Sequence, residues 1–474
     1  MGRELRTLNM ARSGVAPRRG HMILTIHRGS KQIGGSCVEL RSARGDRILL
    51  DVGMPLTQSD GSDWPRGTMT RPGEELRREG VLPDIDGLYV GSSPEVSALI
   101  LSHAHLDHYG LAHYVHPDIP VYGSQGTIEM LRASKLFVPD AAVPGDLREL
   151  PNAGTVSIGS FSVRGIPVDH AAPDSRALLV EADGQRLLYS GDLRAHGRQR
   201  HLFDELPEAA GTIDVLVLEG TTVGQPRGSH GFADEGDVEI RLSELFRHDG
   251  GLVVVIASGQ NIDRAISVYR AALATGRELV IDPYQAYVLM TLRDVCPEAP
   301  QFDSPSVRVK FIPYHVAKLK DAGFWDLACK MSSAGKVSLE QLAANPSGFV
   351  FLARSSGATV KLLRSLARTT RPTIVWSQWS GYLKKGGQVP GFCDENGIEP
   401  YIIHSGGHAH PEDLADLASR LHPGAVVPIH TEAASQFATF IQNVRVVPDG
   451  KAVEIASLIA DCDGATGTRT TADS

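Results

Sequence analysis

The chain changes character twice along its length, and that double change limits its fold more than any single motif. From Met22 to about Gly220, short β-rich runs follow one another: "MILTIH", "CVELRS", "RILLDVG", "ALILSH", "FSVRGIPVDH", "ALLVEADGQRLLYSGD" and "DVLVLEG". Turn signals separate them, and Ala182-Asp183-Gly184 between two apolar runs predicts a hairpin. From "GLVVVIAS" onward, compact apolar strands ("ELVIDP", "FVFLAR", "PTIVWSQ") alternate with helical stretches. "NIDRAISVYRAALATG" predicts an amphipathic helix stopped by glycine. Near Pro400 the first character returns, with "PYIIHSGGHAH", a helix over Pro411 to Leu421, and "AVVPIHTE". One domain inserted within another fits this order. The predicted boundaries are 1–21 for a disordered extension, 22–220 and 400–460 for the two parts of the outer domain, 221–399 for the insert and 461–474 for a flexible tail.

Composition narrows the class. A hydrophobic content of 42% and a charged content of 22% are those of an ordinary soluble domain. No apolar run approaches the ~18 residues of a membrane span, and the basic N-terminus lacks the apolar region of a secretory signal. The five cysteines are scattered and form no C-x-x-C, which argues against both a disulfide framework and a cysteine zinc site. A reducing, cytoplasmic setting is predicted. The net charge of −8 argues against indiscriminate nucleic-acid binding but leaves room for a locally basic channel.

The chemistry concentrates in "LSHAHLDHYG" (Leu101 to Gly110), which follows the apolar run "ALIL". His103 and His105 are two apart, so on extended chain both imidazoles can grip one cation. A turn into a helix at Gly110-Leu111 would aim Asp107 and His108 at a second cation beside it. His170, Asp192 and His430 each stand at the end of a predicted strand, and Asp192 can bridge two metals. Together these are nitrogen and oxygen ligands suited to zinc or manganese. Asp51 in "ILLDVG" either orients a ligand histidine or simply forms a turn before Gly53.

Asp51, the His103-Ala104-His105-Leu106-Asp107-His108 run, His170 and Asp192, in this order, resemble the metallo-β-lactamase superfamily. "VLVLEGTTVG", "IASGQNIDRAISVYRAA", "YIIHSGGHAHPEDL" and "VVPIHTE" are similar to its β-CASP branch and to ribonuclease J-like members, while "QIGGSCVEL" is closer to archaeal and eukaryotic cleavage-factor wording. The resemblance implies an α/β fold: an αββα sandwich carrying an inserted α/β (β-CASP) domain. It also implies that His103, His105 and His170 hold one divalent metal and that Asp107, His108 and His430 hold a second. Asp192 then bridges two ions, zinc or alternatively manganese. Glu219 matches the acidic residue that follows a strand in the β-CASP branch, and Asp51, Glu219 and His404 are expected behind the ligands.

The implied activity is hydrolysis of RNA phosphodiester bonds, endonucleolytic or from the 5′ end, with a metal-bound hydroxide as nucleophile. Asp107, Asp192 and His408 are the expected catalytic residues, His408 contacting the scissile phosphate and assisting the leaving oxygen. Ser405, Gly406 and Gly407 can offer backbone N–H groups to a phosphate. Ser258, Asn261 and Arg264 add candidate contacts from the insert. Trp376 and Trp379 either stack on bases or, at i, i+3 beside an apolar strand, belong to the core, which is the favoured reading. Single-stranded RNA is the expected partner, with no membrane and a homodimer as the family's common state. The competing readings are a DNA-directed nuclease, a small-molecule ester or thioester hydrolase, and a scaffold subunit with a dead site. The long insert argues against the ester hydrolase, because a small-ester site needs no second domain.

Overall fold

The computed structural model describes residues 21–138, 141–226, 231–368 and 370–460. The segments 1–20 and 461–474, and with them most of the predicted extension and all of the predicted tail, lie outside the described residues.

The apolar runs become strands of three sheets. The first contains β1 (Ile23–Arg28), β2 (Cys37–Arg41), β3 (Arg47–Leu50), β4 (Ala98–Ile100), β5 (Val121–Gly123), β6 (Leu147–Glu149) and β19 (Ala452–Glu454), in the order β19-β1-β2-β3-β4-β5-β6. The second contains β7 (Val156–Ile158), β8 (Phe161–Pro167), β9 (Arg176–Ala182), β10 (Gln185–Tyr189), β11 (Val215–Glu219) and β18 (Ala425–Ile429), in the order β18-β11-β10-β9-β8-β7. Alternation on β1 turns Leu24 and Ile26 inward, where they join Val38, Leu50 and Ile100 against Val163, Val180, Leu187, Val217 and Val427 of the second sheet. The helix Gln125–Phe137 packs on the outside of the first sheet. Helices Arg200–Ala210 and Pro411–Leu421 cover the outside of the second through Phe203, Leu206, Leu414 and Leu417. Each sheet therefore buries both faces, and the layers run αββα. The predicted hairpin joins β9 to β10 with Asp183 and Gly184 at φ 53° and 74°, as a tight two-residue turn requires.

The third sheet contains β12 (Val253–Ile256), β13 (Glu278–Ile281), β14 (Val307–Val309), β15 (Phe349–Ala353), β16 (Thr373–Trp376) and β17 (Tyr401–Ile402), in the order β14-β13-β15-β12-β16-β17. All its pairings are parallel. β12 and β15 are buried along their whole length, as expected for strands covered by helices on both faces. The sequence reading ends the insert at residue 399, whereas Tyr401 and Ile402 still pair with Val375 and Trp376. The chain rejoins the second sheet only at β18, beside β11.

Strand direction sets the stage for the site. β10, β11 and β18 are parallel, and β8 runs with them because β9 is antiparallel to both β8 and β10. Their C-terminal ends therefore share one edge. Among the described residues no helix is long and apolar enough to cross a membrane.

Candidate metal centre

Ligand-type side chains collect where these strands end. Asp51 follows β3 and His103 follows β4, while His170, Asp192 and His430 come after β8, β10 and β18, and Glu219 closes β11. The chain stays extended through His105 and then turns into the short helix Leu106–Tyr109. The turn thus falls earlier than the Gly110-Leu111 step read from the sequence. The segment after β3 fixes it, with Val52 N–H donating to His108 O and Met54 N–H to Leu106 O, both at 2.9 Å. A Cβ on Gly53 would lie 1.7 Å from the Asp107 carbonyl oxygen, so this approach requires glycine. Asp51 and His430 are held in the left-handed region at φ 59° and 53°, a local strain of about 1–3 kcal/mol each.

Three groups each bring ligand atoms within 4.8 Å of one another: His103, His105, His170 and Asp192; Asp107, His108 and His430; and Asp192, Glu219, His408 and His430. The far nitrogens of the rings are anchored. His108 Nδ1 is 2.8 Å from Asp51 Oδ2, His103 Nδ1 is 3.0 Å from Ser102 Oγ, His170 Nδ1 is 2.6 Å from Gly407 O and His430 Nδ1 is 2.8 Å from Thr221 Oγ1. Such outer partners fix ring orientation at metal sites. The inward atoms are a different matter. His103 Nε2, His108 Nε2 and both Asp192 oxygens are buried with no hydrogen-bond partner, although Asp192 Oδ2 is 3.1 Å from His108 Nε2 and 3.6 Å from His103 Nε2. An unsatisfied buried polar group costs about 1–3 kcal/mol. Cations held by the groups these atoms face would satisfy them, so the donor set fits divalent metal.

The electrostatics suit that role. Burial, reinforced by neighbouring rings, holds His103 and His170 well below the ordinary histidine range. Burial also lowers His105 to about 4 against the pull of Asp107. All three are therefore held neutral, the state a metal ligand needs, and His105 Nδ1 lies 3.0 Å from His170 Nε2. Burial would raise Asp192, but His108, His430 and His408 outweigh it and keep the carboxylate ionised. His408 is pushed up to about 9, because Glu219 and Asp192 outweigh the effect of burial. Its Nδ1 lies 3.3 Å from Glu219 Oε1. Glu219, expected behind the ligands, stands within ligand reach itself. It also accepts from Leu193 N and Thr221 N.

Several expected substrate contacts are placed elsewhere by the fold. Arg264 is fully buried: Nε and Nη2 grip Glu235 at 2.8 and 3.0 Å, and Nη1 donates to Ser377 O at 2.9 Å. Ser405 is buried too, its Oγ donating to Glu235 Oε2 at 2.8 Å. Asn261 caps the helix Ile262–Ala274 by accepting from Arg264 N. The side chains of these three are engaged in contacts within the protein. Ser258 stays exposed. The Gly406 carbonyl accepts from Arg194 and His196, and the Gly407 carbonyl is the partner of His170, so this loop positions a ligand through its carbonyl oxygens. His404 lies 3.3 Å from Arg264 and outside the ligand groups. Burial, then Arg264, lowers it to about 3. Trp376 is a core residue, but Trp379 is 44% exposed. Sequence reasoning missed Thr221, Ser102 and Tyr189, whose hydroxyl donates to Asp51 at 2.8 Å. The available signal was proximity: Ser102 precedes His103, and Thr221 follows Glu219 by two.

Two packed sheets with a cluster of ligand-type side chains at their common edge define the class, and residues 81–240 match a beta-lactamase superfamily domain. Within that class the sequence is ribonuclease J-like. It is 25% identical to the Ribonuclease J of Sinorhizobium meliloti, over 77% of this chain and 63% of that protein. It is 23% identical to Ribonuclease J 2 of Streptococcus pyogenes, over 80% and 68% of the two chains. With the Ribonuclease J of Pyrococcus abyssi it shares 25% identity over 44% of this chain and 49% of the other. The chain thus spans 63% of the length of the Sinorhizobium meliloti protein. The fold is shared with the crystal structure of a protein of unknown function from Enterococcus faecalis, with a TM-score of 0.69 at 19% identity, covering 92% of this chain and all of that one.

Proposed function

We propose that this chain is a metal-dependent ribonuclease that hydrolyses phosphodiester bonds of single-stranded RNA, internally or from the 5′ end. The observation that carries the proposal is the set of orphaned inward atoms around Asp192, with a charged histidine beside them. The names of the relatives direct the choice of substrate. His103, His105 and His170 would hold one divalent ion, and Asp107, His108 and His430 a second, with Asp192 shared. Zinc suits these ligands, and manganese is the alternative. The chemistry that such ions supply when bound is activation of water at neutral pH and neutralisation of phosphoryl charge. Asp51, Ser102, Thr221 and the Gly407 carbonyl keep the rings aimed inward. His408 has a 24% exposed side chain, whereas Asp192 and Glu219 are 1% exposed. Glu219 keeps a proton on the His408 imidazole, which donates it to the departing oxygen. The four free cysteines among the described residues support a reducing, cytoplasmic setting.

The test is cleavage of labelled RNA, DNA and a thioester by the metal-loaded protein, with the RNA carrying a 5′-monophosphate, triphosphate or hydroxyl. RNA should be cut and the thioester left intact. His408→Ala should lower turnover by roughly 10²–10⁴ while metal content stays unchanged. Loss of metal in that variant would make His408 a ligand and overturn its assignment.

A further inference from the structure

Beside the metal centre the insert presents an aromatic surface for which the cluster itself has no use. Trp379 and Tyr382 are 44% and 49% exposed, and their rings meet edge to face at 90° with centroids 5.4 Å apart. The pair is built rather than incidental. The Trp379 carbonyl accepts from the buried Trp376 indole at 3.3 Å. The Trp379 ring lies on the backbone of Gly381, where a Cβ would come within 2.2–2.5 Å of three ring atoms. Glycine at 381 thus gives the indole a seat on one side, and the rest of the ring is left to solvent.

The position points at a polymer leading into the site. The Tyr382 phenol lies within electrostatic reach of Asp107. Lys385, just past the helix Ser380–Lys384, reaches Asp63 at 3.5 Å, so the insert meets the loop after β3 here. Leu56 of that loop, 46% exposed, sits beside Gly34, as Asp107 does. Leu106, 44% exposed, adjoins Asp107 in sequence. Exposed apolar and aromatic groups therefore lead from the insert to the ligand Asp107, with Lys384 and Lys385 exposed on the same segment.

We infer that Trp379 and Tyr382 form a stacking platform for an unpaired base of the nucleic-acid strand whose phosphates enter the metal centre. Every base offers a π-face, so such a platform holds a single strand without reading its sequence. Duplex has no base free to use it. The neighbouring exposed Lys384 supplies charge of the sign that a phosphate backbone demands. This inference rests on the ribonuclease reading above and adds to it how the strand is held.

The test is binding of a phosphorothioate oligoadenylate, which resists hydrolysis, to the metal-loaded full chain, beside an abasic strand of equal length. Wild type should prefer the base-bearing strand. Trp379→Ala should lower affinity for it by roughly 5- to 100-fold and leave abasic binding unchanged. Trp379→Phe should retain most of the preference, and thermal unfolding confirms that each variant is folded. Equal loss for both strands, or none for either, overturns the platform. Unchanged binding together with an altered oligomeric state assigns the surface to a protein contact and also overturns it. Failure of wild type to bind either strand strikes the ribonuclease reading instead.

Discussion

Two buried charged networks lie side by side in this molecule, and they are finished differently. Around Arg264 every strong group has a partner: Glu235 takes the guanidinium in two contacts and also accepts from Ser267 and Ser405. Around Asp192, equally buried, both carboxylate oxygens and two imidazole nitrogens have none. A closed network is complete as a joint. An open one at the same depth offers donor atoms that suit an ion, since native proteins rarely leave such atoms unsatisfied. The contrast separates a residue that holds the fold from one that holds a ligand, which residue type alone does not.

The sharpest way to break the contrast is to remove a carboxylate from each network. Asp192→Asn should abolish hydrolysis, by more than about 10³-fold, and strip metal from the protein. Without metal its stability should fall by less than in the next variant, because Asp192 faces His108, His430 and His408 but has no hydrogen-bond partner. Metal analysis and chemical denaturation in a chelator check both halves. Glu235→Gln should do the reverse: metal is retained, and stability falls by about 3–5 kcal/mol, because Arg264 is left buried with no counter-charge. Equal losses of stability in the two variants would erase the distinction.

A smaller effect sharpens the comparison through pH. His404 of the closed network is lowered to about 3 by burial and then by Arg264. The unfolded chain binds this proton near pH ~6.5, so between the two values it carries more protons than the folded state. The stability that neutral His404 contributes is therefore full above pH ~6.5 and drains away as pH falls toward 3. Denaturation midpoints measured across this range should show a shallower slope in His404→Gln than in wild type.

The two networks also differed in how legible they were. Residues of the open one announce themselves, because histidines and aspartates at the ends of apolar strands have few other reasons to recur. The strand pattern gave away the layers as well, and the helix Pro411–Leu421 falls where its signals place it. The closed network was unreadable. Whether Arg264 faces solvent depends on Glu235 and Ser405, which lie 29 and 141 residues away in sequence. Its helix-start motif reads the same with the side chain out or in. Trp379 misled for a related reason. Its i, i+3 spacing from Trp376 suggests a shared face, but β16 ends at Trp376 and the chain turns away from the core.

The order of β18 in the chain has a consequence for timing. His430 leaves the end of this strand and meets Asp107 from 323 residues away at 3.2 Å. As the protein emerges from the ribosome N-terminus first, His103 through Asp192 are synthesised long before it. They remain an incomplete set while the whole insert is made and folded. Only when β18 pairs with β11 does His430 reach Asp107 and Asp192. The ligand cluster of a chain wired this way is completed only after the insert has been synthesised.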